Sequence, residues 1–341
     1  MKALLIGGTG VISMDITRRL AASPAWEVWL LNRGSHTDLP AGVRSLTADI
    51  HDEAAVQKAL AGHTFDAAAD FIAFSPADIE RDLRLFSGRV GQFIFISSAS
   101  AYQKPLSHYR ITESTPLSNP FWQYSRDKIA CEERLMAAYR ETGFPVTIVR
   151  PSHTYSDRSL PVAFHGDRGA WQVLKRMLTG KPVIVPGDGA TLWTVTHSVD
   201  FAKGFVGLMG NIHAIGEAVQ ITSDESLTWN QIHNIIGWGL GVQPVLRHIP
   251  TDFLAACVGS RADGLTGDKS HTVVFDNSKL KRLVPGFTAD VRFDQGVGRA
   301  LPVILSSPAL QRPDPAFDAW CDKIIAVYDQ ALQDAKAIPY D

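Results

Sequence analysis

Apolar and polar positions alternate in two rhythms over the first 150 residues of this chain of 341. Short apolar or β-branched runs predict strands at Ala3–Ile6, Glu27–Leu31, Arg44–Thr47, Ala67–Phe71, Gln92–Ser97 and Val146–Arg150. Between them, apolar residues at helical spacing predict helices over Ser13–Ala22, Glu53–Ala61, Pro76–Phe86 and from Trp122 to Thr142. Strands alternating with helices of this length are the pattern of βαβ units, whose right-handed crossovers put helices on both faces of a parallel sheet. The expected fold class is therefore α/β, a doubly wound parallel sheet. After Pro151 proline and glycine become more frequent, as in Gly180 to Gly189, and a smaller α+β lobe is expected there. Within it, Ser226 or Thr228 is placed to cap a helix running to Gly237. Near the end, Phe317, Trp320, Cys321, Ile324, Tyr328 and Leu332 recur at helical spacing as an expected core stripe.

Composition narrows the classes of function. Hydrophobic residues at 45% and charged residues at 20% exclude a mainly disordered chain. Lys and Arg number 33 against 35 Asp and Glu, so a net charge of −2 offers no field for a polyanion, and no nucleic-acid partner is expected. No apolar run reaches the roughly 18 residues of a membrane span, and the opening run breaks at Gly7, so no membrane partner and a cytoplasmic location are expected. Cys131, Cys257 and Cys321 are odd in number and form no CxxC pair, which dismisses a disulfide scaffold and a metal site.

The first strand runs into Gly7-Gly8-Thr9-Gly10-Val11-Ile12-Ser13 and then a helix. Strand, glycine turn and helix in this order form a Rossmann-type dinucleotide site, because glycine lets the backbone approach a pyrophosphate seated at the helix N-terminus. Ser13 stands where a third glycine is usual, and it is small enough to substitute. At the tip of the second strand, Asn32 and Arg33 stand where a carboxylate would bind a free ribose 2′-hydroxyl. A neutral amide beside a guanidinium favours NADP over NAD, although Arg33 could instead stack on adenine or face water. Asp49, before Ile50, could accept from the adenine amino group or serve as a turn residue.

The strand ending Ile96-Ser97-Ser98-Ala99-Ser100-Ala101-Tyr102 finishes in hydroxyls, where open α/β sheets place their chemistry. Downstream, Tyr124 and Lys128 are four apart and share one helix face. A cation beside a phenol lowers its pKa and readies it for proton exchange with an alcohol or ketone.

Together, GGTGVIS, ADI at 48–50, ISSASAY at 96–102, YSRDK at 124–128 and VRPSHTY at 149–155 make this chain resemble the extended short-chain dehydrogenases/reductases of the NAD-dependent epimerase/dehydratase family. Weaker similarity continues through GDGATLWTVTHSVD at 187–200. The resemblance implies a dinucleotide-binding domain over 1–155, with a segment returning at 195–215, and a mainly substrate-binding lobe over 156–341. It implies Ser98 as the hydrogen-bonding partner of the reacting oxygen, Tyr124 as acid/base, and Lys128 as the residue that binds the nicotinamide ribose and tunes the tyrosine. Gly7, Thr9, Gly10, Val11 and Ile12 match the diphosphate turn. Ile72 and Ala73 match the strand end packed on the cofactor, and Pro151, Ser152 and His153 the segment beside the nicotinamide. A homodimer through the helices at 76–86 and 122–142 is also implied.

Departures from the family pattern bear on the substrate. Ala99 and Ser100 stand where sugar dehydratases carry an Asp-Glu pair, so a dehydratase is not expected. Trp193 follows Leu192 where epimerases have an arginine for the substrate diphosphate, and His153 stands where Asn is common. Both weaken a nucleotide-linked substrate. Trp193 suits stacking on a sugar or packing in a core, and Ser100, Tyr102 and His153 are further substrate candidates. The expected function is an NAD(P)-dependent epimerase or oxidoreductase acting on a secondary alcohol or ketone of a small sugar-like molecule. Alternatives are an NADP-dependent reductase of a non-sugar ketone and a dinucleotide-binding regulatory protein without catalysis.

Overall fold

The six strands read from the sequence are present as β1 (Lys2–Ile6), β2 (Glu27–Asn32), β3 (Arg44–Thr47), β4 (Ala67–Asp70), β5 (Phe93–Ile96) and β6 (Val146–Pro151), and a seventh, β7 (Ala218–Ile221), joins them. The structure is a computed structural model that describes residues 1–34 and 39–339. The sheet order is β7-β6-β5-β4-β1-β2-β3 with every pair parallel, the Rossmann order that reverses between β1 and β4. The flanking helices are α1 (Ser13–Ala21), α2 (Glu53–Ala59), α3 (Pro76–Phe86), α4 (Gln123–Thr142) and α5 (Ser198–Leu208).

Strand alternation builds two apolar layers. Ala3 and Leu5 of β1, with Ile94 and Ile96 of β5, pack on Ile16, Leu20, Phe201 and Phe205 of α1 and α5. Leu4, Ile6, Phe93 and Phe95 point the other way, onto Val56, Ile79, Leu83 and Leu135 of α2, α3 and α4. A strand buried on both faces is continuously apolar, which is why these segments read as unbroken runs. Each fully buried Leu or Phe contributes about 1.5–3 kcal/mol, so the site is carried on stiff elements. The start of α3 is set by Ser75 and Asp78 in a reciprocal capping box with Pro76 in the first turn. On the outer side of α3 and α4, Glu80 pairs with Arg134, and Arg84 pairs with Glu53.

Two compact units divide the chain. The first comprises Met1–Tyr155, Thr194–Asp224 and Val273–Val291, and the second Ser156–Trp193, Glu225–Thr272 and the chain from Arg292 onward. In the second unit Thr228 caps the helix Trp229–Gly239 in a capping box with Gln231. The C-terminal helix Pro315–Lys336 buries Phe317, Cys321 and Ile324, but Leu332 is 37% exposed, because the last turns of that helix run beyond what they could pack on. Among the described residues no helix is long and apolar enough to cross a membrane.

Candidate active site

The glycine turn has the geometry its residues dictate. Gly7 adopts φ +77°, and a Cβ there would come within 2.7 Å of Ile72; a Cβ on Gly8 would meet Leu30 at 2.6 Å. Gly7 is therefore held to glycine by its backbone as well as its space, and a side chain at Gly8 would displace Leu30. Ser13, in the third-glycine position, is buried and staples the turn: its Oγ donates to the Gly7 carbonyl and accepts from the Gly10 N–H, both at 2.8 Å. Thr17 adds a bond from its Oγ1 to the Gly8 carbonyl at 2.7 Å. The α1 N-terminus carries no side-chain cap, the arrangement a pyrophosphate at a helix N-terminus uses.

A cavity of about 460 Å³ adjoins this turn, lined by Gly7, Thr9, Gly10, Asn32, Arg33, Asp49, Ile50 and Ile72 among others. Asn32 Oδ1 accepts from the Gly34 N–H, while its Nδ2 is buried with no hydrogen-bond partner. That unmet donor fits a ribose hydroxyl, and with the glycine cradle it makes the residues present suited to a dinucleotide. Arg33 is exposed at this cavity. Asp49 is exposed too, its Oδ1 accepting from the His51 N–H, so the turn role and the cavity-lining position coexist. Val11 is exposed and Ile12 half-buried in the turn itself.

Ser98, Tyr124 and Lys128 lie in the same unit, at the carboxyl edge of the sheet and the start of α4. The Lys128 ammonium is buried and donates to the carbonyls of Ala73, just after β4, and Ile96, the end of β5, each at 2.7 Å. It stands 4.7 Å from the ring centres of Phe74 and Phe95 and 5.8 Å from that of Tyr124. Burial pulls its pKa down to about 8.

Ser98 belongs to a chain of hydroxyls. Its Oγ accepts from the Ser100 N–H at 3.1 Å and lies 2.8 Å from Ser100 Oγ, which accepts from Ser125 Oγ at 2.8 Å. Since Ser125 donates to Ser100, the Ser100 proton is directed at Ser98, leaving Ser98 its own proton to donate outward. Asn119 ties the serine loop to α4: its Nδ2 donates to the Ser100 carbonyl at 2.9 Å, and its Oδ1 accepts from the Phe121 and Trp122 amides at 3.2 Å. Ser125 and Asn119 carry no motif of their own in the sequence; the small residue directly after Tyr124 is the one sign of them.

Other candidates take varied places. Tyr102 is fully buried, its hydroxyl bonded to Gln220 at 2.9 Å beneath the Arg150 guanidinium, and burial raises its pKa. Arg150 forms a buried ion pair with Glu132 of α4 at 2.5 Å, pinning that helix to β6. Ser152 Oγ donates to the Thr194 carbonyl at 2.7 Å, Pro151 ends β6, and His153 is half-buried on a strand paired with Val195–His197. Trp193 lies in the second unit, 2% exposed, with its indole 5.0 Å from Trp229 and Lys269 over its ring at 4.2 Å. Those contacts give Trp193 the packing role.

Comparison with known proteins agrees with this geometry. The model of the NAD dependent epimerase/dehydratase family matches residues 3–222. A 2'-dehydrokanamycin reductase of Streptomyces kanamyceticus is 28% identical over 290 residues, covering 84% of this chain and 80% of that protein. An uncharacterized UDP-glucose epimerase of Bacillus subtilis is 29% identical over 194 residues, covering 56% and 54%. Among solved structures, an epimerase of Methanothermobacter thermautotrophicus superposes with a TM-score of 0.75 at 18% identity, over 91% of this chain and 94% of that one. With the parallel sheet, the glycine turn and the Ser98, Tyr124 and Lys128 set in one unit, the chain belongs to the NAD dependent epimerase/dehydratase family and is an enzyme of the extended short-chain dehydrogenase/reductase type.

Proposed function

We propose that this enzyme reduces a ketone, or oxidises the matching secondary alcohol, on a small sugar-like substrate without a nucleotide, using a nicotinamide dinucleotide. The observation that carries the reading is the placement of Ser98, Tyr124 and Lys128 in the unit that holds the dinucleotide cavity. Three features support its direction and substrate. A relative that covers 84% of this chain bears a reductase name. Ala99 and the hydrogen-bonded Ser100 supply no acid–base pair for dehydration. Trp193, in place of a diphosphate-binding arginine, is packed against Trp229.

In the reducing direction a nicotinamide held there would supply the hydride for the carbonyl carbon. Tyr124 Oη gives its proton to the carbonyl oxygen, and Lys128, held by two backbone carbonyls, keeps a positive charge beside the phenol. Ser98 donates a hydrogen bond to the same oxygen as negative charge develops there, polarised from behind by Ser100 and Ser125. Gly7, Thr9, Gly10, Val11 and Ile12 would hold the diphosphate, Asn32, Arg33, Asp49 and Ile50 the adenosine end, and Ile72, Ala73, Pro151, Ser152 and His153 the nicotinamide end. Arg33 and the lack of a carboxylate at the β2 tip favour NADP.

Steady-state assays with NADPH and NADH against 2'-dehydrokanamycin and a panel of keto sugars test this reading. Net loss of reduced-nicotinamide absorbance supports a reductase; interconversion of epimers with no net change would replace it with an epimerase. The reading includes a homodimer through α3 and α4, for which light scattering should give twice the chain mass; a monomer at micromolar concentration would remove it.

A further inference from the structure

Beneath the turn that carries Ile72 and Ala73 lies a buried charge cluster that the mechanism above does not use. Asp70 ends β4, and Asp78, Arg81 and Asp82 lie on α3; the side chains of Asp70 and Asp82 are fully buried and that of Arg81 is 6% exposed. Arg81 bridges all three acids: Nη2 lies 2.8 Å from Asp82 Oδ1 and 3.3 Å from Asp70 Oδ2, Nε 3.0 Å from Asp82 Oδ1, and Nη1 2.9 Å from Asp78 Oδ1. The acids in turn hold the strand-end turn. Asp70 Oδ1 accepts from the Ile72 N–H at 2.6 Å, and Asp78 Oδ2 accepts from the Phe74 and Ser75 amides at 3.0 and 2.9 Å. Between these anchors the Ala73 carbonyl receives Lys128.

One atom in the cluster has no donor: Asp82 Oδ2 is buried without a hydrogen-bond partner. The Asp82 carboxyl nevertheless stands beside that of Asp70, since one nitrogen, Arg81 Nη2, reaches both. Two ionised carboxylates are acceptors only, so a hydrogen bond between them needs a proton. The charged groups facing the pair are Arg81 and Asp78 on α3 and Lys128 on α4. Three acids against two cations leave one negative charge in excess, and a single shared proton makes the set neutral. Burial pushes the Asp70 carboxyl above the ordinary aspartate range, and burial together with repulsion from Asp70 pushes that of Asp82 well above it.

We propose that Asp70 and Asp82 share one proton at neutral pH, and that with Arg81 they form a positioning bracket that fixes the Ala73 carbonyl under Lys128. The bracket's role in cofactor binding rests on the functional reading above; the shared proton does not. Infrared difference spectra of the full chain at neutral pH should show a protonated-carboxyl band that shifts in deuterium oxide and is lost in both Asp82→Asn and Asp70→Asn. If neither substitution removes such a band, the shared proton is overturned.

NADH and NADPH titrations by fluorescence test the bracket. Asp82→Asn, whose amide replaces the shared proton, should bind the preferred cofactor within about threefold of wild type. Arg81→Lys keeps the charge but loses the fork, and should bind at least fivefold more weakly while melting as a folded protein. Wild-type affinity in Arg81→Lys overturns the positioning role. A wild type that binds neither cofactor overturns both that role and the functional reading, and the infrared result still decides the proton.

Discussion

Replacing Lys128 with methionine should change how stability depends on pH more than it changes stability at any one pH. Burial lowers the lysine pKa from 10.5 to about 8 in the folded chain. At about 1.36 kcal/mol per unit, holding the proton at pH 7 costs the folded state about 3.4 kcal/mol. Between pH 8 and 10.5 the unfolded chain binds more protons than the folded one, so this penalty is relieved and stability rises as pH rises. From pH 7 to about 9.5, wild type should therefore gain about 2 kcal/mol relative to Lys128→Met. Methionine also leaves the Ala73 and Ile96 carbonyls without the ammonium, an offset of about 1–3 kcal/mol for each carbonyl left unpaired that does not vary with pH. Urea unfolding of cofactor-free protein across this range reads the difference. A gap that stays flat, or that moves against wild type as pH rises, would refute the account of a strained buried ammonium.

Tyr124→Phe should lower turnover by about 10²–10⁴ while leaving cofactor affinity nearly intact, because the phenol acts on substrate; kinetics and cofactor titration read the two separately. Arg33→Ala should weaken NADPH binding about tenfold to hundredfold with NADH unchanged, and unchanged NADPH affinity would dismiss the phosphate contact. Ser125→Ala should lower kcat several-fold, and the same change made in a Ser98→Ala background should cost nothing further; additive losses would show that Ser125 does not act through Ser98. In the second unit, the buried His233 ring donates its Nδ1–H to the Trp229 carbonyl at 2.7 Å, and burial lowers its pKa to about 4, which keeps it neutral. The unfolded chain takes up the proton first, so stability should fall as pH drops from 6.5 toward about 4, by about 3 kcal/mol in all, and His233→Asn should flatten that slope in acid unfolding curves.

The first unit was legible because its strands are buried on both faces and its turns are short. Apolar runs such as Phe93–Ile96 admit few other readings, and the glycine turn, the serine-ended strand and the Tyr124–Lys128 pair come in fixed order along the chain. What was not legible depends on contacts far apart in sequence. The seventh strand, Ala218–Ile221, is only four residues long and earns its place by pairing with β6, and the segment 273–291 joins the first unit with no local sign that it should. The substitution of Ser13 for glycine looked like mere tolerance of size, whereas its hydroxyl closes the turn through two bonds. Asp70 falls in one expected strand and Arg81 and Asp82 in the next expected helix; only the packing of α3 on β4 brings the acids together. Trp193 could stack on a substrate or pack in a core, and a single indole in a sequence does not say which; Trp229, thirty-six positions along, supplies the answer.

The central claim is that hydride moves between a nicotinamide and a substrate carbon while Tyr124 moves the proton. Reduction of 2'-dehydrokanamycin and the keto-sugar panel with NADPH or NADH deuterated at the transferring position, followed by mass spectrometry of the product, tests it most directly. The account predicts a product alcohol carrying one deuterium with wild type and almost none formed by Tyr124→Phe. Reduced product without the label, or equal labelling by Tyr124→Phe, would contradict it.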